Sequence, residues 1–335
     1  MKKVSVIIPC RNEVKYIGQC LDSVLENDYP NNDLEILVTD GMSEDGTREI
    51  IKDYSGKHPC IKLLDNQQKI TPAALNIGIK YAEGEIIIRM DAHAKYPENY
   101  ISILVKYINE LDCDNVGGLW ETLPGGEGII ARSIAVATSS PFGIGNAWYR
   151  IGVDQIREVD TVPYGCFKRE LFDRIGVFDE ELIRNQDDEF NARIKKNNGK
   201  IFLIPEIKIK YFARKTICKM TKMFFQFGFF KPLVNIKIGK PATLRQLVPP
   251  LFILYLLSLI LILMLKPDIF LLALSVLAIY FIISVLYSLV NAIKHKQLIF
   301  AILLPIIFFL IHTSYGFGYF AGLINYLIIK PLSNI

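Results

Sequence analysis

The last quarter of the chain restricts the fold more than any other part, because it is almost free of charge. Between Leu247 and Ile335 the charged side chains are Lys266, Asp268, Lys294, Lys296 and Lys330. The apolar runs between them are long enough to cross the ~30 Å hydrocarbon core of a bilayer. Residues 247–330 are therefore predicted to form transmembrane helices, in two to four segments with three favoured.

Polar breaks divide this tail into the apolar runs Leu247–Leu265, Ile269–Val290 and Leu298–Ile329. The last run is longer than one simple crossing of the bilayer requires. It can form one tilted helix with a re-entrant turn at Ser314–Gly318, or two short segments. Basic residues at the second break, Lys294–Lys296, favour the cytoplasmic side. We therefore expect a multi-pass protein of the cell membrane whose N-terminal part faces the cytoplasm.

The first 246 residues carry 34 basic and 33 acidic side chains, so their balance gives no reason to expect a nucleic-acid partner. Continuous apolar runs alternate there with helical patterns, which predicts an α/β fold with a parallel sheet covered on both faces. The predicted strands are Val4–Pro9, Leu34–Val38, Ile61–Leu64, Glu85–Met90 and Ile201–Ile209. Ligands bind such sheets outside the carboxyl ends of the strands.

Asp91-Ala92-His93 follows one of these predicted strands. Residues i and i+2 of an extended chain point to the same side, so a carboxylate and an imidazole are predicted to project together. Such a pair can hold Mn²⁺ or Mg²⁺, with water and phosphate oxygens in the remaining positions. The alternative is a cap of the helix that begins near Pro97.

Asp40 ends the second predicted strand and is followed by Gly41. A carboxylate there can accept hydrogen bonds from a base or a ribose, and glycine lets the backbone approach a ligand closely. The alternative is a turn that leads to a helix cap at Ser43 or Asp45.

Asp187 and Asp188 begin a predicted helix that extends to Lys196. Asp187 shares a helical face with Phe190 and Ile194 and is predicted to turn inwards, while Asp188 turns aside. A helix N-terminus favours the ionised carboxylate, which is the form that a general base needs. The alternative is an ordinary acidic first turn.

Residues 211–246 form a basic segment before the apolar tail. Ten cations lie between Lys208 and Arg245 without an acidic residue among them. Ile217, Met220, Met223, Phe224 and Phe227 follow at helical spacing. This pattern predicts an amphipathic helix at the membrane surface, in contact with anionic lipids. A solvated basic face over a soluble core is the alternative.

These motifs together resemble the family 2 glycosyltransferases, whose catalytic domain has the GT-A fold. Val4–Glu13 is similar to the family's opening strand and Asp40-Gly41 to its nucleotide-contacting motif. Asp91-Ala92-His93 resembles the metal-binding D-x-D motif, and Gln186-Asp187 the Glu-Asp pair whose Asp is the base. The stretches Arg89–His93, Pro163–Phe167, Arg184–Phe190 and Ser314–Gly318 resemble the succinoglycan-biosynthesis type of membrane glycosyltransferase.

The resemblance implies an inverting enzyme that moves a sugar from a nucleotide diphosphate donor to an acceptor hydroxyl, on a lipid-linked glycan in polysaccharide biosynthesis. Asp187 would be the catalytic base, and Asp91 and His93 would hold Mn²⁺ or Mg²⁺. The implied nucleotide-binding residues are Pro9, Asn12, Glu13, Asp40 and Gly41, and the candidates for substrate contact are Arg184, Asn185 and Asp188. The GT-A domain would span residues 1–210.

Two departures from the family pattern affect this interpretation. His93 replaces the second Asp of the D-x-D motif, and Gln226–Phe230 is only a partial echo of a Q-x-x-R-W motif. The second departure disfavours a processive polysaccharide synthase, which remains one alternative. The other alternative is a membrane-tethered scaffold that binds nucleotide sugars without turnover.

Overall fold

The computed structural model describes residues 3–329. They cluster into two compact units. The first unit contains the residues up to Glu121 together with Gly152–Tyr211, and the second contains Thr122–Ile151 and the residues from Phe212 onward. The stretch Thr122–Ile151, which sequence analysis grouped with the catalytic domain, thus clusters with the tail. The predicted domain limits at 210 and 246 stay predictions.

The first unit is built on an eight-stranded sheet in the order β3-β2-β1-β4-β7-β5-β8-β6. The strands are β1 Val4–Cys10, β2 Leu34–Asp40, β3 Ile61–Asp65, β4 Ile86–Arg89, β5 Asn115–Leu123, β6 Arg157–Glu158, β7 Cys166–Lys168 and β8 Ile201–Phe212. The first four strands pair in parallel, whereas β7 runs antiparallel to both β4 and β5. The sheet is therefore mixed and mostly parallel in its N-terminal half, as the apolar runs predicted.

Helices follow the strands in the alternating order that a layered α/β unit requires. Those of the first unit are α1 Ile17–Leu25, α2 Thr47–Lys57, α3 Thr71–Tyr81, α4 Tyr100–Glu110, α8 Glu170–Ile175 and α9 Gln186–Lys196. Those of the second unit are α5 Ile129–Ala137, α6 Pro141–Ile144, α7 Trp148–Ile151, α10 Ile217–Ile238, α11 Val248–Leu265, α12 Phe270–Lys294 and α13 Phe300–Ile324.

The second unit carries the transmembrane tail. Among the described residues, three helical spans are long and apolar enough to cross a membrane: Leu244–Leu265, Pro267–Lys294 and Phe300–Ile329. The third span is one continuous helical segment through Ser314–Gly318, so the re-entrant turn considered there is wrong. The glycines in this stretch provide close packing between helices instead of a turn.

Glycines bring α10 and α13 into backbone contact. A methyl group at Gly318 would overlap the carbonyl oxygen of Phe225, and one at Gly322 would overlap that of Phe229. In return, a methyl group at Gly228 would overlap the carbonyl oxygen of Tyr315. Small residues spaced by four let membrane helices approach in this way, and dispersion and weak hydrogen bonds then hold them together. We call this contact the glycine seam.

The apolar side of the predicted amphipathic helix is covered by protein. A helix is present over the predicted segment and continues to Ile238. Its residues Met220, Met223 and Phe224 are buried, and α10 makes its most extensive packing contact with α13. The apolar side of this helix therefore packs largely against protein. Membrane contact by residues 211–246 stays a prediction, and it depends on the exposed lysines.

A partly buried polar contact joins the short helix α6 to the long membrane helices α12 and α13. The Nε2 atom of His312 lies 3.0 Å from the carbonyl oxygen of Phe142, and its Nδ1 atom lies 2.9 Å from the hydroxyl of Tyr280. A neutral imidazole protonated on Nε2 satisfies both contacts. The Phe142 ring packs edge-on against Phe308 at a centroid distance of 5.0 Å.

Candidate active site

Hydrogen bonds join the loops that follow β1 and β2. The Asn12 N–H donates to Ser43 Oγ at 2.8 Å, and Asn12 Oδ1 accepts from the Glu44 N–H at 3.1 Å. The Glu13 N–H donates to Thr47 Oγ1 at 2.8 Å. Asn12 has a left-handed backbone (φ 55°), which asparagine tolerates better than most residues. The two loops therefore present one joined surface at the carboxyl edge of the parallel strands.

Asp40 is the organising group of this surface. Its carboxylate is fully buried and accepts hydrogen bonds from the Ser43 backbone and from Arg48 NH1, at 2.9 and 2.7 Å. Arg48 also pairs with Asp65 at the end of β3. A methyl group at Gly41 would lie 3.1 Å from the Cδ atom of Arg11. The turn considered as the alternative is present, and nucleotide contact by Asp40 and Gly41 stays a prediction.

The segment after β4 is a turn and not the extended chain that was predicted. The Ala94 N–H donates to the Asp91 carbonyl at 3.2 Å, and the Tyr96 hydroxyl accepts from the Asp91 N–H at 2.6 Å. His93 is 55% exposed, and its Nδ1 lies 3.3 Å from a Glu13 carboxylate oxygen. The turn thus brings Glu13, a predicted nucleotide-binding residue, close to His93, a predicted metal ligand. The two residues follow the neighbouring strands β1 and β4.

Arg89 occupies the centre of the site, and sequence reasoning did not single it out. It is the last residue of β4, is 6% exposed, and donates hydrogen bonds to the carboxylates of both Asp187 and Asp91. Burial disfavours its charged form, but the charges of Asp187 and Asp91 outweigh this effect and raise its pKa above the ordinary value. Arg89 therefore stays a cation and connects the predicted base with the predicted metal ligand.

Asp187 lies in the first turn of α9, where helix N–H groups favour a negative charge. Phe190 and Ile194 on the same helix are fully buried, as the helical face predicted. The Asp187 side chain remains 34% exposed beside Arg89. Burial raises the pKa of Asp187, and the charge of Arg89 opposes that rise. A carboxylate with a raised pKa and access to solvent can accept a proton from a bound hydroxyl.

The residues around Asp187 set the entry to α9. Asn185 precedes the helix with a left-handed backbone (φ 63°). Arg184 is exposed, and Asp188 is partly buried in the first helical turn. Substrate contact by Arg184, Asn185 and Asp188 stays a prediction.

Tyr164 covers the guanidinium of Arg89. The Arg89 Cζ atom lies 5.7 Å from the ring centroid, and the Arg89 N–H donates to the Gly165 carbonyl at 3.0 Å. Tyr164 and Gly165 both have left-handed backbones (φ 62° and 50°), which fold the loop over the arginine. Burial raises the pKa of the Tyr164 hydroxyl well above its ordinary value, so it remains neutral.

Metal binding by Asp91 and His93 stays a prediction, and both residues lie in the turn after β4. Among residues 3–329 there is no cluster of three or more His, Cys, Asp or Glu side chains able to hold a metal. The carboxylate of Asp91 and the imidazole of His93 are both accessible to solvent from one turn. Two protein donors suit an Mn²⁺ or Mg²⁺ ion whose other ligands are water and diphosphate oxygens.

Solved structures identify the fold as GT-A. The mannosyltransferase PcManGT from Pyrobaculum calidifontis, in complex with GDP-Man and Mn²⁺, matches with a TM-score of 0.60 at 18% identity over 98% of this chain and 88% of its own. S. aureus TarS 1-349 in complex with UDP matches with a TM-score of 0.53 at 18% identity, over 96% of this chain and 92% of its own. At this identity the likeness concerns the fold.

The family follows from the sequence. The profile of Glycosyl transferase family 2 matches residues 5–175. A dolichyl N-acetyl-alpha-D-glucosaminyl phosphate 3-beta-D-2,3-diacetamido-2,3-dideoxy-beta-D-glucuronosyltransferase of Methanococcus voltae is 30% identical over 97% of this chain and 98% of its own. The succinoglycan biosynthesis protein ExoA of Rhizobium meliloti is 27% identical over 73% of each chain. The chain belongs to glycosyl transferase family 2, and the predicted resemblance is confirmed.

Proposed function

We propose that this family 2 glycosyltransferase is an inverting, metal-dependent enzyme that transfers a sugar from a nucleotide diphosphate to a hydroxyl group of a lipid-linked glycan. The observation that carries the proposal is the contact of Asp187, at the start of α9, with Arg89 and through it with Asp91 at the end of β4. A partly exposed carboxylate thus lies at the carboxyl edge of the parallel strands, where such sheets bind their ligands.

The chemistry is a single displacement at the anomeric carbon. Asp187 takes the proton of the acceptor hydroxyl while its oxygen bonds to the anomeric carbon, and the bond from that carbon to the diphosphate breaks on the opposite side. Asp91 and His93 would hold a divalent metal ion, which would supply positive charge beside the departing diphosphate. The nucleoside binds the surface formed by the loops after β1 and β2. The residues of this surface are Pro9, Asn12, Glu13, Asp40 and Gly41.

The acceptor and the location are supported by the relatives and by the tail. The name of the M. voltae relative specifies a dolichyl-linked sugar phosphate, and that of ExoA specifies succinoglycan biosynthesis. Three membrane spans place this chain in a bilayer, where a lipid-linked glycan resides. The basic Lys294–Lys296 break supports a catalytic unit on the cytoplasmic side.

Diphosphate release tests the proposal. The full chain, in nanodiscs made from native membrane lipids, is incubated with a panel of nucleotide sugars, and released nucleoside diphosphate is measured with and without an extract of lipid-linked glycans. Release that depends on one donor and on the glycan extract supports transfer. Binding of a donor without release under either condition would indicate a scaffold, and products that gain many sugars would indicate a processive synthase.

Removal of divalent cations should abolish transfer. Added Mn²⁺ or Mg²⁺ should restore it in the wild type. Asp91→Ala should lower kcat about 10²- to 10³-fold, because charge that develops on the diphosphate is no longer stabilised. His93→Ala should raise the Mn²⁺ concentration needed for half-maximal rate about tenfold. Titration of initial rates with metal measures both effects, and full activity of Asp91→Ala in metal-free buffer would contradict the metal assignment.

Three exposed lysines at the start of α10 and just before it should affect transfer only in an anionic bilayer. Lys215, Lys219 and Lys222 are exposed, and each cation near a membrane surface contributes about 1 kcal/mol of attraction. Their reversal to Glu should lower transfer to a lipid-linked acceptor in nanodiscs with anionic lipids and leave it unchanged in zwitterionic ones. Reversal of the exposed Lys52, Lys57 and Lys80 is the charge-matched control. Equal losses in both lipids would show that the charges do not act through the membrane.

A further inference from the structure

Arg89 is a buried cation whose position is not explained by the requirements of a strand. Its neighbours in β4, Ile86–Ile88, are apolar and buried, as expected inside a covered sheet. A guanidinium in the same environment is costly unless it is paired and hydrogen-bonded. Arg89 NH1 donates to Asp187 and NH2 donates to Asp91, the latter at 3.2 Å.

The three side chains form a compact charged group. Two carboxylates and one guanidinium carry a net charge of −1, whereas the two carboxylates alone would carry −2 and repel each other. Tyr164 packs over the guanidinium at 5.7 Å. The Nε atom of Arg89 is buried and has no hydrogen-bond partner among the described residues. The Arg89 side chain is therefore held by the hydrogen bonds of NH1 and NH2 and by the Tyr164 ring, while Nε makes no hydrogen bond among the described residues.

We propose that Arg89 is a positioning residue that holds the Asp187 and Asp91 carboxylates in one site and competes with a divalent cation for Asp91. The inference rests on the proposed roles of Asp187 as base and Asp91 as metal ligand. Arginine suits this role because its planar fork reaches two carboxylates at once, which the single ammonium of lysine cannot do in the same geometry.

Competition between Arg89 and the cation predicts that loss of the guanidinium changes metal affinity and turnover in opposite directions. Removing the guanidinium frees an oxygen of Asp91 and removes a positive charge next to the metal position, so a divalent cation should bind more tightly. The same change leaves Asp187 without the partner that orients it, so turnover should fall. An arginine that only stabilised the fold would weaken metal binding and turnover together.

The test uses the full chain in nanodiscs and the variants Arg89→Met and Arg89→Lys. Binding of Mn²⁺ alone, without donor, is measured by the electron paramagnetic resonance signal of the free ion. Arg89→Met should bind Mn²⁺ about tenfold more tightly than the wild type, and kcat should fall about 10²-fold with little change in donor KM. Arg89→Lys, which keeps the charge, should bind Mn²⁺ like the wild type but lose turnover.

Arg174→Met is the matched control, because Arg174 also pairs with an aspartate of the first unit, Asp114, but is half exposed. It should change neither quantity. Unchanged or weaker Mn²⁺ binding by Arg89→Met, or turnover of both Arg89 variants within about threefold of the wild type, would overturn the proposal. Failure of the wild type to bind Mn²⁺ would instead reject the metal site, so the two failures are distinguishable.

Discussion

Asp187→Asn should reduce transfer about 10²- to 10⁴-fold, the contribution of a positioned general base. The amide has the volume of the carboxylate but cannot accept the acceptor proton. Donor affinity should change only a few fold, because Asp187 does not lie on the surface formed by the β1 and β2 loops. Single-turnover transfer and equilibrium binding of the nucleotide sugar measure the two quantities.

Asp188→Asn is the control within the same helical turn. It should have the milder effect, since the carboxylate of Asp187 accepts a hydrogen bond from the buried Arg89. Because burial raises the pKa of Asp187, the ionised base should be lost as the pH falls, at a pH above the usual titration range of aspartate. A larger loss of activity in Asp188→Asn than in Asp187→Asn would show that the base has been assigned to the wrong residue.

Gly318→Leu should destabilise the second unit by about 3 kcal/mol, the upper part of the range for overpacked cores. The new side chain would overlap the backbone of Phe225, and a backbone atom cannot move aside as a flexible side chain can. The two helices of the glycine seam would therefore have to separate. Thermal unfolding in nanodiscs and hydrogen exchange of the α10 amides would measure the loss.

Gly56→Leu is a suitable control because Gly56 lies in α2 and no atom from another part of the chain lies within 4 Å of a Cβ added there. Leucine has a higher helix propensity than glycine, so this variant should unfold at the wild-type temperature or slightly above it. If Gly318→Leu also unfolded at the wild-type temperature with unchanged exchange of α10, the glycine seam would not contribute to stability.

Periodicity predicted the N-terminal half of the sheet well, because parallel strands covered on both faces are continuous apolar runs. The predicted strands do not include Asn115–Leu123, because the neighbouring glycines Gly117 and Gly118 are typical of a loop. A methyl group at Gly117 would lie 2.7 Å from Val162 Cβ, and Gly118 faces Ile207 equally closely. These glycines allow neighbouring chain segments to pack closely. This requirement depends on tertiary structure, so the local sequence pattern does not predict it.

The candidate site could likewise be predicted from the sequence only in part. Asp91 and Asp187 were singled out because carboxylates at a strand end and a helix start have an evident chemical use. Arg89 was not, because it lies only two residues from Asp91 but 98 residues from Asp187. The sequence signals for Arg89 were its place at the end of an apolar strand and in the stretch Arg89–His93, and neither signal indicates its partners. The pairing that makes it significant exists only once the fold brings α9 to the end of β4.

The contact between Phe142 and His312 has a consequence for how the protein is made. The two residues are 170 positions apart, and a ribosome adding ~5–20 residues per second needs roughly 10–30 s to cover that distance. During this delay, α5 and α6 have already been synthesised, but the membrane helix that covers Phe142 and Gly143 has not. A nascent chain therefore carries an uncovered apolar segment between two parts of its catalytic sheet until the last membrane helix is inserted. Quality control that recognises exposed apolar surface can thus detect the loss of the last membrane helix, because α6 then stays uncovered.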